Sequence, residues 1–405
     1  MSDRRLRQQL VGRLIALGRT SVSGFRPLWP GDHHLAWTPP WSVPTTIRGG
    51  AGVSKPGINN SLLEGWKSSR YRQLVAPLVL ILAVALVSLL FGENVRLQFR
   101  LALVITGIVI SLHTFTGNSG VISFGHISFV AIGAFSAGLM SLGVQQKEAV
   151  FPELFGIIGH NQIGNLSSLL LAAVLGAIFA FVVGLPLMRL NGLSAGIATF
   201  AVLGITRNVL RNWTKIGPGA KTIPGVPETT GTVQAVVGLI VILLVAFAYQ
   251  HSRFGRRLRA SREDAAAARS IGVAIHRERL ISFTLSGALG AFAGALYVHY
   301  LGSVTTEQVY LDLTFVTLSM LVVGGIGSLW GAVVGGLAVS GIDSFLAEAQ
   351  NGISIGGSEI STPSGSRDIV LGLLMVLVLL RRPEGLSRGR EMVLSVLGRH
   401  SRDIH

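Results

Sequence analysis

The run from Leu74 to Phe91, LVAPLVLILAVALVSLLF, is 18 residues long and contains no charged side chain. About 20 mostly apolar residues in a helix match the hydrocarbon thickness of a bilayer, where each backbone N–H and C=O must be satisfied within the segment. Further runs of this character follow at about 97–115, 125–143, 168–188, 192–211, 232–250, 280–301, 311–326, 330–346 and 368–380, separated by charged or Gly-, Pro- and Asn-rich breaks. The stretch 311–346 exceeds a single crossing, and GGIGS (Gly324 to Ser328) near its middle marks a reversal. The expected fold is all-α and polytopic, with about ten transmembrane helices, some short or broken. Composition agrees: only 13% of residues are charged, about half the share of a soluble domain. The 51 glycines suit helices that pack closely in lipid.

Lys and Arg exceed Asp and Glu by 15. Nucleic-acid binding would need those cations on one folded face. Here they lie between apolar runs, so no nucleic-acid partner is expected. Residues 1–73 hold eleven cations, 251–279 eight and the tail from 381 six, together 25 of the 34. Short cytoplasmic loops concentrate Lys and Arg. Six crossings between the first and second segments and four between the second and third put all three on one side, which predicts cytoplasmic termini. The chain divides into a basic N-terminal arm (1–73), a transmembrane domain (74–390) and a C-terminal tail (391–405). The arm carries Trp29, Trp37 and Trp41 among several prolines, with no run long enough to cross, and is expected to be largely flexible. At its start Leu6, Leu10, Leu14 and Leu17 recur at helical spacing opposite arginines, which fits a helix lying on anionic lipid or a disordered arm. No cleaved signal peptide is expected.

The loop Phe254 to Leu280 reads FGRRLRASREDAAAARSIGVAIHRERL. Glu263 to Ile271 is rich in strong helix formers and is closed by Gly272, which predicts a short helix outside the membrane. Small side chains at Ala267, Ala268 and Gly272 admit a close partner, although a solvated connector has the same pattern. The order charged pair, alanines, glycine and apolar span resembles the ATPase-coupling loop of ABC importer permeases. FGRxLRAxRE followed by Ala-Ala and Gly is similar to the loop of branched-chain amino acid permeases, specifically their M-type subunit. Phe254, Gly255, Arg256, Leu258, Arg259, Ala260, Arg262, Glu263, Ala267, Ala268 and Gly272 stand at the matching positions, with Arg269 where an acidic residue is expected. Gly117 to Phe135, Leu285 to Glu307, Leu321 to Gly336 and Arg381 to Leu386 resemble further segments of that family, in order, so the likeness runs from about residue 75 to 390.

The resemblance implies a multi-pass subunit of an ATP-driven importer in a bacterial inner membrane. Its substrate would be a branched-chain or related hydrophobic amino acid. It implies a second permease subunit as heterodimer partner, two cytoplasmic ABC ATPases and an extracytoplasmic binding protein, besides the surrounding lipid. Coupling would fall to Arg259, Arg262, Glu263, Asp264, Ala267, Ala268 and Gly272. A urea or short-amide permease is the alternative within the superfamily, and a stand-alone channel or secondary carrier the alternative outside it.

Ser286, Gly290 and Gly294 recur every four residues, as do Gly331 and Gly335. Such stripes let helix backbones approach where lipid supplies no hydrophobic drive, within this subunit or against its partner. A polar solute needs interrupted helices whose backbone lines a wet path. Candidates are Asn118, Ser119, Ser123 and His126, then Ser194 and Thr199, then Gly324 and Gly325; His126 also fits a structural role, and each break also fits an ordinary surface loop. None of the five lysines follows a glycine, so the P-loop pattern is missing. Nor is there an HExxH, a metal-ligand set or a convincing nucleophile motif. The chain is therefore expected to have no catalytic residues, metal or cofactor of its own, with ATP hydrolysed by partner subunits. Ionisable residues are scarce in the spans, which argues against a proton relay.

Overall fold

Each of the ten apolar runs forms a helix in the computed structural model, which describes residues 60–392 except 217, 218, 220, 221, 352, 356, 357, 361, 362, 364, 383 and 390. The expectations for the arm before residue 60, including the helix around Leu6 to Leu17, and for the tail beyond 392 lie outside the described residues. The helices are α1 (Asn60–Ser88), α2 (Glu93–Ser119), α3 (Ile127–Ser141), α4 (Val144–Val150), α5 (Gly156–Gly159), α6 (Asn165–Leu187), α7 (Gly192–Asn212), α8 (Thr232–His251), α9 (Arg253–Glu263), α10 (Ala265–Ser270), α11 (Ile275–Leu301), α12 (Leu311–Gly324), α13 (Leu329–Asn351) and α14 (Ser366–Arg381). An antiparallel hairpin, β1 (Ile353–Ile355) with β2 (Ser358–Ile360), joins α13 to α14. No apolar periodicity announced it.

Among the described residues α2, α6, α7, α8, α11 and α13 are long and apolar enough to cross a bilayer. The expected crossing at 125–143 is shorter: α3 has 15 residues, about 22 Å at 1.5 Å per residue. It bends by 113° into α4. The reversal at GGIGS is present, since α12 ends at Gly324 and α13 begins at Leu329. α1 starts at Asn60, ahead of its apolar run, and contains Pro77.

Helix packing here sorts side chains by size rather than polarity. On α6 the buried residues include a stripe of small ones, Ser168, Ala172, Gly176, Ala180 and Gly184, one per turn, beside Leu169 and Leu187. The opposite face exposes Leu166, Leu170, Val174, Ile178, Phe181 and Val182 to the surroundings. That inversion of a soluble helix is expected in lipid, where large apolar side chains are solvated and small ones permit contact. The small face meets α11: a Cβ placed on Gly176 would lie 2.3 Å from Ala291 Cβ, and one on Gly287 2.3 Å from Ala180 Cβ. On another side α11 meets α3 backbone to backbone, a Cβ on Gly294 falling 2.1 Å from the Val130 carbonyl oxygen and one on Gly133 1.9 Å from that of Ala291. α12 and α13 approach in the same way through Gly331 and Gly335, a Cβ on the latter falling 2.1 Å from Met320 O.

The ends of the helices alternate between two ends of the bundle. At one end, His251 bonds Gln73, His276 bonds Met188 O, Gln250 bonds Glu391, and Leu386 N donates to Val323 O. At the other, Arg100 bonds Thr232, Tyr300 bonds Leu97 O, Ser168 lies 2.9 Å from His299, and Arg207 pairs with Glu307. The second end also carries Lys147, a fully buried ammonium that donates to Ile158 O at 3.0 Å and Asn161 O at 2.5 Å. Burial lowers its pKa from the ordinary lysine value.

Two predictions follow from this packing. Gly294→Val should abolish recovery of monodisperse protein in fluorescence-detected size exclusion, because the Val130 backbone cannot yield; Gly204→Ala, at a glycine with nothing within 4 Å of its Cβ position, should run as wild type. Lys147→Met should remove the bonds that its ammonium makes to the carbonyls of Ile158 and Asn161, costing about 1 kcal/mol, read as a lower melting temperature and faster proteolysis within 151–163.

Candidate functional site: the 252–274 segment and the two helix breaks

Ser252 caps α9, its Oγ accepting from Gly255 N at 3.2 Å. The short helix expected over Glu263 to Ile271 is present as α10, and an unexpected helix, α9, precedes it. α9 runs to Glu263, and Asp264 takes an extended conformation (φ −146°, ψ 107°) that breaks the chain. Asp264 Oδ1 then accepts from Ala266 N at 2.8 Å and Ala267 N at 2.9 Å, an N-cap that starts α10. The earlier helix is hidden in the sequence because its arginines obscure the inward positions Gly255, Leu258 and Ser261. Gly272, at φ +84°, ends α10 in the left-handed region that disfavours a Cβ.

The residues expected to dock a partner separate into outward and inward sets. Glu263, Ala266, Ala267, Ser270, Ile271 and Gly272 are exposed, Ile271 at 77%. Ala268 is 2% exposed and packs into the chain, which corrects its expected place on the docking face. The cause is the cap at Asp264, which sets the helix phase so that the fourth residue after it turns inward.

Arg259 and Arg262 also face the bundle. Arg259 Nη2 donates to Gln250 O at 2.7 Å; burial lowers its pKa and the Glu391 carboxylate opposes that shift. Arg262 Nη1 donates at 2.7 Å to the carbonyl of Gly117, in the last turn of α2, and its other nitrogens reach Glu263. Gly120, at φ +71°, closes α2, and a Cβ there would fall 2.6 Å from Arg262 Cγ. Both the turn and the passage of the arginine therefore require glycine.

Gly120 to His126 is the first break. Asn118 Nδ2 donates to Thr114 O, Ser119 Oγ accepts from Val121 N, and Ser123 is buried with no hydrogen-bond partner for its Oγ. Thr199 of α7 accepts from Phe124 N at 3.2 Å, and a Cβ on Gly125 would lie 2.1 Å from Thr199 O. His126 is buried, its Nε2 2.7 Å from Ser111 Oγ and its Nδ1 3.4 Å from Ser286 Oγ, while Ser286 donates to Ser111 O at 2.7 Å. It ties α2, α3 and α11 together, and Gly290 leaves room for its ring. Ser194 stands apart, exposed near the start of α7.

The second break is Gly325 to Ser328. Ser328 Oγ accepts from Gly331 N at 3.1 Å, and Glu391 accepts from Leu329 N at 2.8 Å and Trp330 N at 3.0 Å. The first three N–H groups of α13 are thereby satisfied. The same carboxylate accepts from Gln250 of α8 at 3.0 Å, so it joins the second break to the helix that leads into α9. The two breaks also meet, since a Cβ on Gly117 would be 2.8 Å from Ile326 O and 2.5 Å from the buried His113 ring. Sequence reasoning missed His113, Gly120 and Glu391: nothing local marks a glutamate in a tail as the cap of a helix 62 residues earlier.

Together these features define a multi-span membrane protein of permease type: a helical bundle with broken helices, and a short capped helix pair projecting from one end. The chain belongs to the family described as branched-chain amino acid transport system permease component, whose model matches residues 97–379. It is 26% identical to the high-affinity branched-chain amino acid transport system permease protein LivM of Escherichia coli strain K12, over 85% of this chain and 81% of that protein. The Salmonella typhimurium LivM is also 26% identical, over 82% and 79%. The autoinducer 2 import system permease protein LsrC of Klebsiella pneumoniae is 34% identical over 42% of this chain and 53% of its own. Homologues of this kind are membrane subunits of ABC transporters, with the ATPase carried by other chains.

Removing the Glu391 cap is the direct test of the joint between the C-terminal segment and the second break. Glu391→Ala should destabilise the protein by about 1–2 kcal/mol, measured as a lower melting temperature in nanodiscs, and Glu391→Gln by less, since the amide oxygen still accepts.

Proposed function

We propose that this chain is one membrane subunit of an ATP-driven importer for branched-chain or related hydrophobic amino acids. It pairs with a second permease in a bacterial inner membrane, with both termini in the cytoplasm. An extracytoplasmic binding protein delivers substrate, and two cytoplasmic ATPases dock on α9 and α10. The chain itself needs no cofactor. The observation that carries the substrate reading is the extent of the likeness to LivM, which spans 85% of this chain. The match to LsrC, of higher identity over 42%, favours a second reading in which the same machinery carries a polar autoinducer-type solute. Reconstitution with the partner subunits separates the two: uptake of radiolabelled leucine, isoleucine or valine supports the first, and uptake of autoinducer 2 without any of these supports the second.

Docking rests on the exposed set around α10. Ala267 leaves space for a groove of the ATPase, Ile271 offers an apolar anchor, and Gly272 ends the helix. On this reading Arg262 carries displacement inward to Gly117 rather than contacting the motor.

Ala267→Trp should leave the subunit inserted and assembled but reduce stimulation of the ATPase by loaded binding protein. Overpacking of an interface costs about 1–3 kcal/mol, a loss of roughly tenfold or more in docking affinity. Gly272→Val should act in the same direction. Full stimulation in both variants would remove the motor from this segment. For orientation, a cysteine at exposed Ser270 should react only with reagents that reach the cytoplasm and one at Ser167 only from outside. Ser261 is unsuitable, being 5% exposed with its hydroxyl bonded to Leu258 O.

A further inference from the structure

At the end of the bundle that carries α9, a cavity of about 640 Å³ opens between the last turn of α2, α12, α14 and the segment 384–389. Its wall combines Arg262, Arg388 and Glu384 with the apolar side chains of Val322, Ile326 and Leu379. The room comes from glycines. A Cβ on Gly327 would point across the space at 3.7 Å from Gly389 Cα and 3.9 Å from Arg262 Nη2, and Gly389 has nothing within 4 Å of its Cβ position. Arg388 is the one non-glycine residue at positive φ (52°) among the described residues, followed by Gly389 at φ 64°. A left-handed conformation at an arginine is uncommon and collects at binding sites. Among the described residues neither Arg388 nor Glu384 has an ion-pair partner. Arg388 and Glu384 thus stand as unpaired opposite charges around one apolar-sided space, beside Arg262, which is held by Glu263 and Gly117 O.

We propose that this cavity binds a small zwitterion bearing an apolar tail, with the anionic group held by Arg388 and Arg262, the ammonium by Glu384, and the tail against Val322, Ile326 and Leu379. Guanidinium groups hold carboxylate and phosphate alike, and basic pockets between transmembrane helices take lipid headgroups. Two sources share this chemistry: a free aliphatic amino acid, and the headgroup and upper acyl chain of phosphatidylethanolamine. In either case the ligand ties Arg262, which bonds the end of α2, to the wall formed by α12 and α14. Occupancy therefore bears on how the α9 and α10 segment moves relative to the second break. The site adjoins both helix breaks, through Gly120 on one side and Ile326 and Gly327 on the other, and its occupancy does not depend on which solute is carried.

The test uses the full chain in nanodiscs, with wild type beside Arg388→Asn and Glu384→Gln. Asn tolerates positive φ, so the first variant removes the guanidinium without forcing the backbone. One arm measures phosphatidylethanolamine retained on the protein by native mass spectrometry, in discs of mixed phosphatidylethanolamine and phosphatidylglycerol. The other measures equilibrium binding of radiolabelled L-leucine in discs of phosphatidylglycerol alone. Retention in one arm or both, falling about tenfold or more in each variant while melting temperatures hold, supports the site and names its source. A tenfold loss corresponds to removing one charge-assisted hydrogen bond of roughly 1.4 kcal/mol. Retention in neither arm, or retention that both variants leave unchanged, overturns the proposal. Failure of amino-acid uptake by the reconstituted importer would count against the transport reading alone, because both arms read binding without transport.

Discussion

The structure depends on backbone contact along α11. Gly287, Gly290 and Gly294 bring this helix against α6, His126 and α3 at distances that no side chain would allow. In lipid such contact replaces the hydrophobic effect as the source of packing energy, since a leucine is equally well solvated inside and outside the bundle. Close approach also makes the interior polar network possible. Ser286 reaches the Ser111 carbonyl, Ser282 reaches the Thr114 carbonyl, and His126 closes the junction, all buried and bonded helix to helix. A half-length helix such as α3 holds its place because its first turn is gripped by that junction.

The end of the bundle with the projecting helices is wired differently. There the joints are charge-assisted: Arg262 to a carbonyl of α2, Arg259 to a carbonyl of α8, and Glu391 to the amides that open α13. Each links the segment around α9 to a place where a helix stops. Helix ends carry unsatisfied N–H and C=O groups and partial charge, which makes them natural partners for ionised side chains. The α9–α10 pair is thus coupled to both breaks, one through an arginine and the other through the C-terminal segment.

How much of this was legible varied with the physical signal. The ten apolar runs locate ten helices because bilayer thickness imposes a length, and GGIGS marks a true reversal because two crossings need one. The family was legible from motifs in order. The finer geometry of the site was not. The short helix within Glu263 to Ile271 is present, but α9 ahead of it and the cap at Asp264 that separates the two are not marked, and the phase set by that cap turns Ala268 inward. The stripe on α6 was overlooked because its exposed face is as apolar as its buried one, so no contrast in polarity marks it; only side-chain volume does. Glu391 and His113 take their roles from residues distant in sequence, which a local pattern does not encode.

The locked backbones have a mechanical corollary. Helices whose carbonyls abut a neighbour's glycine have no room to slide or roll past one another, so α3, α6 and α11 shift as one rigid body. Displacement must then be absorbed elsewhere, at positions without such locks. α7 is entered through Gly192, at φ +56° with open space around its Cβ position, and its side chains Leu193, Ile197 and Ile205 are exposed, although its backbone abuts Gly125 at Thr199. At the margin of the block, where α6 hands over to α7, Gly192 is the position with room to turn.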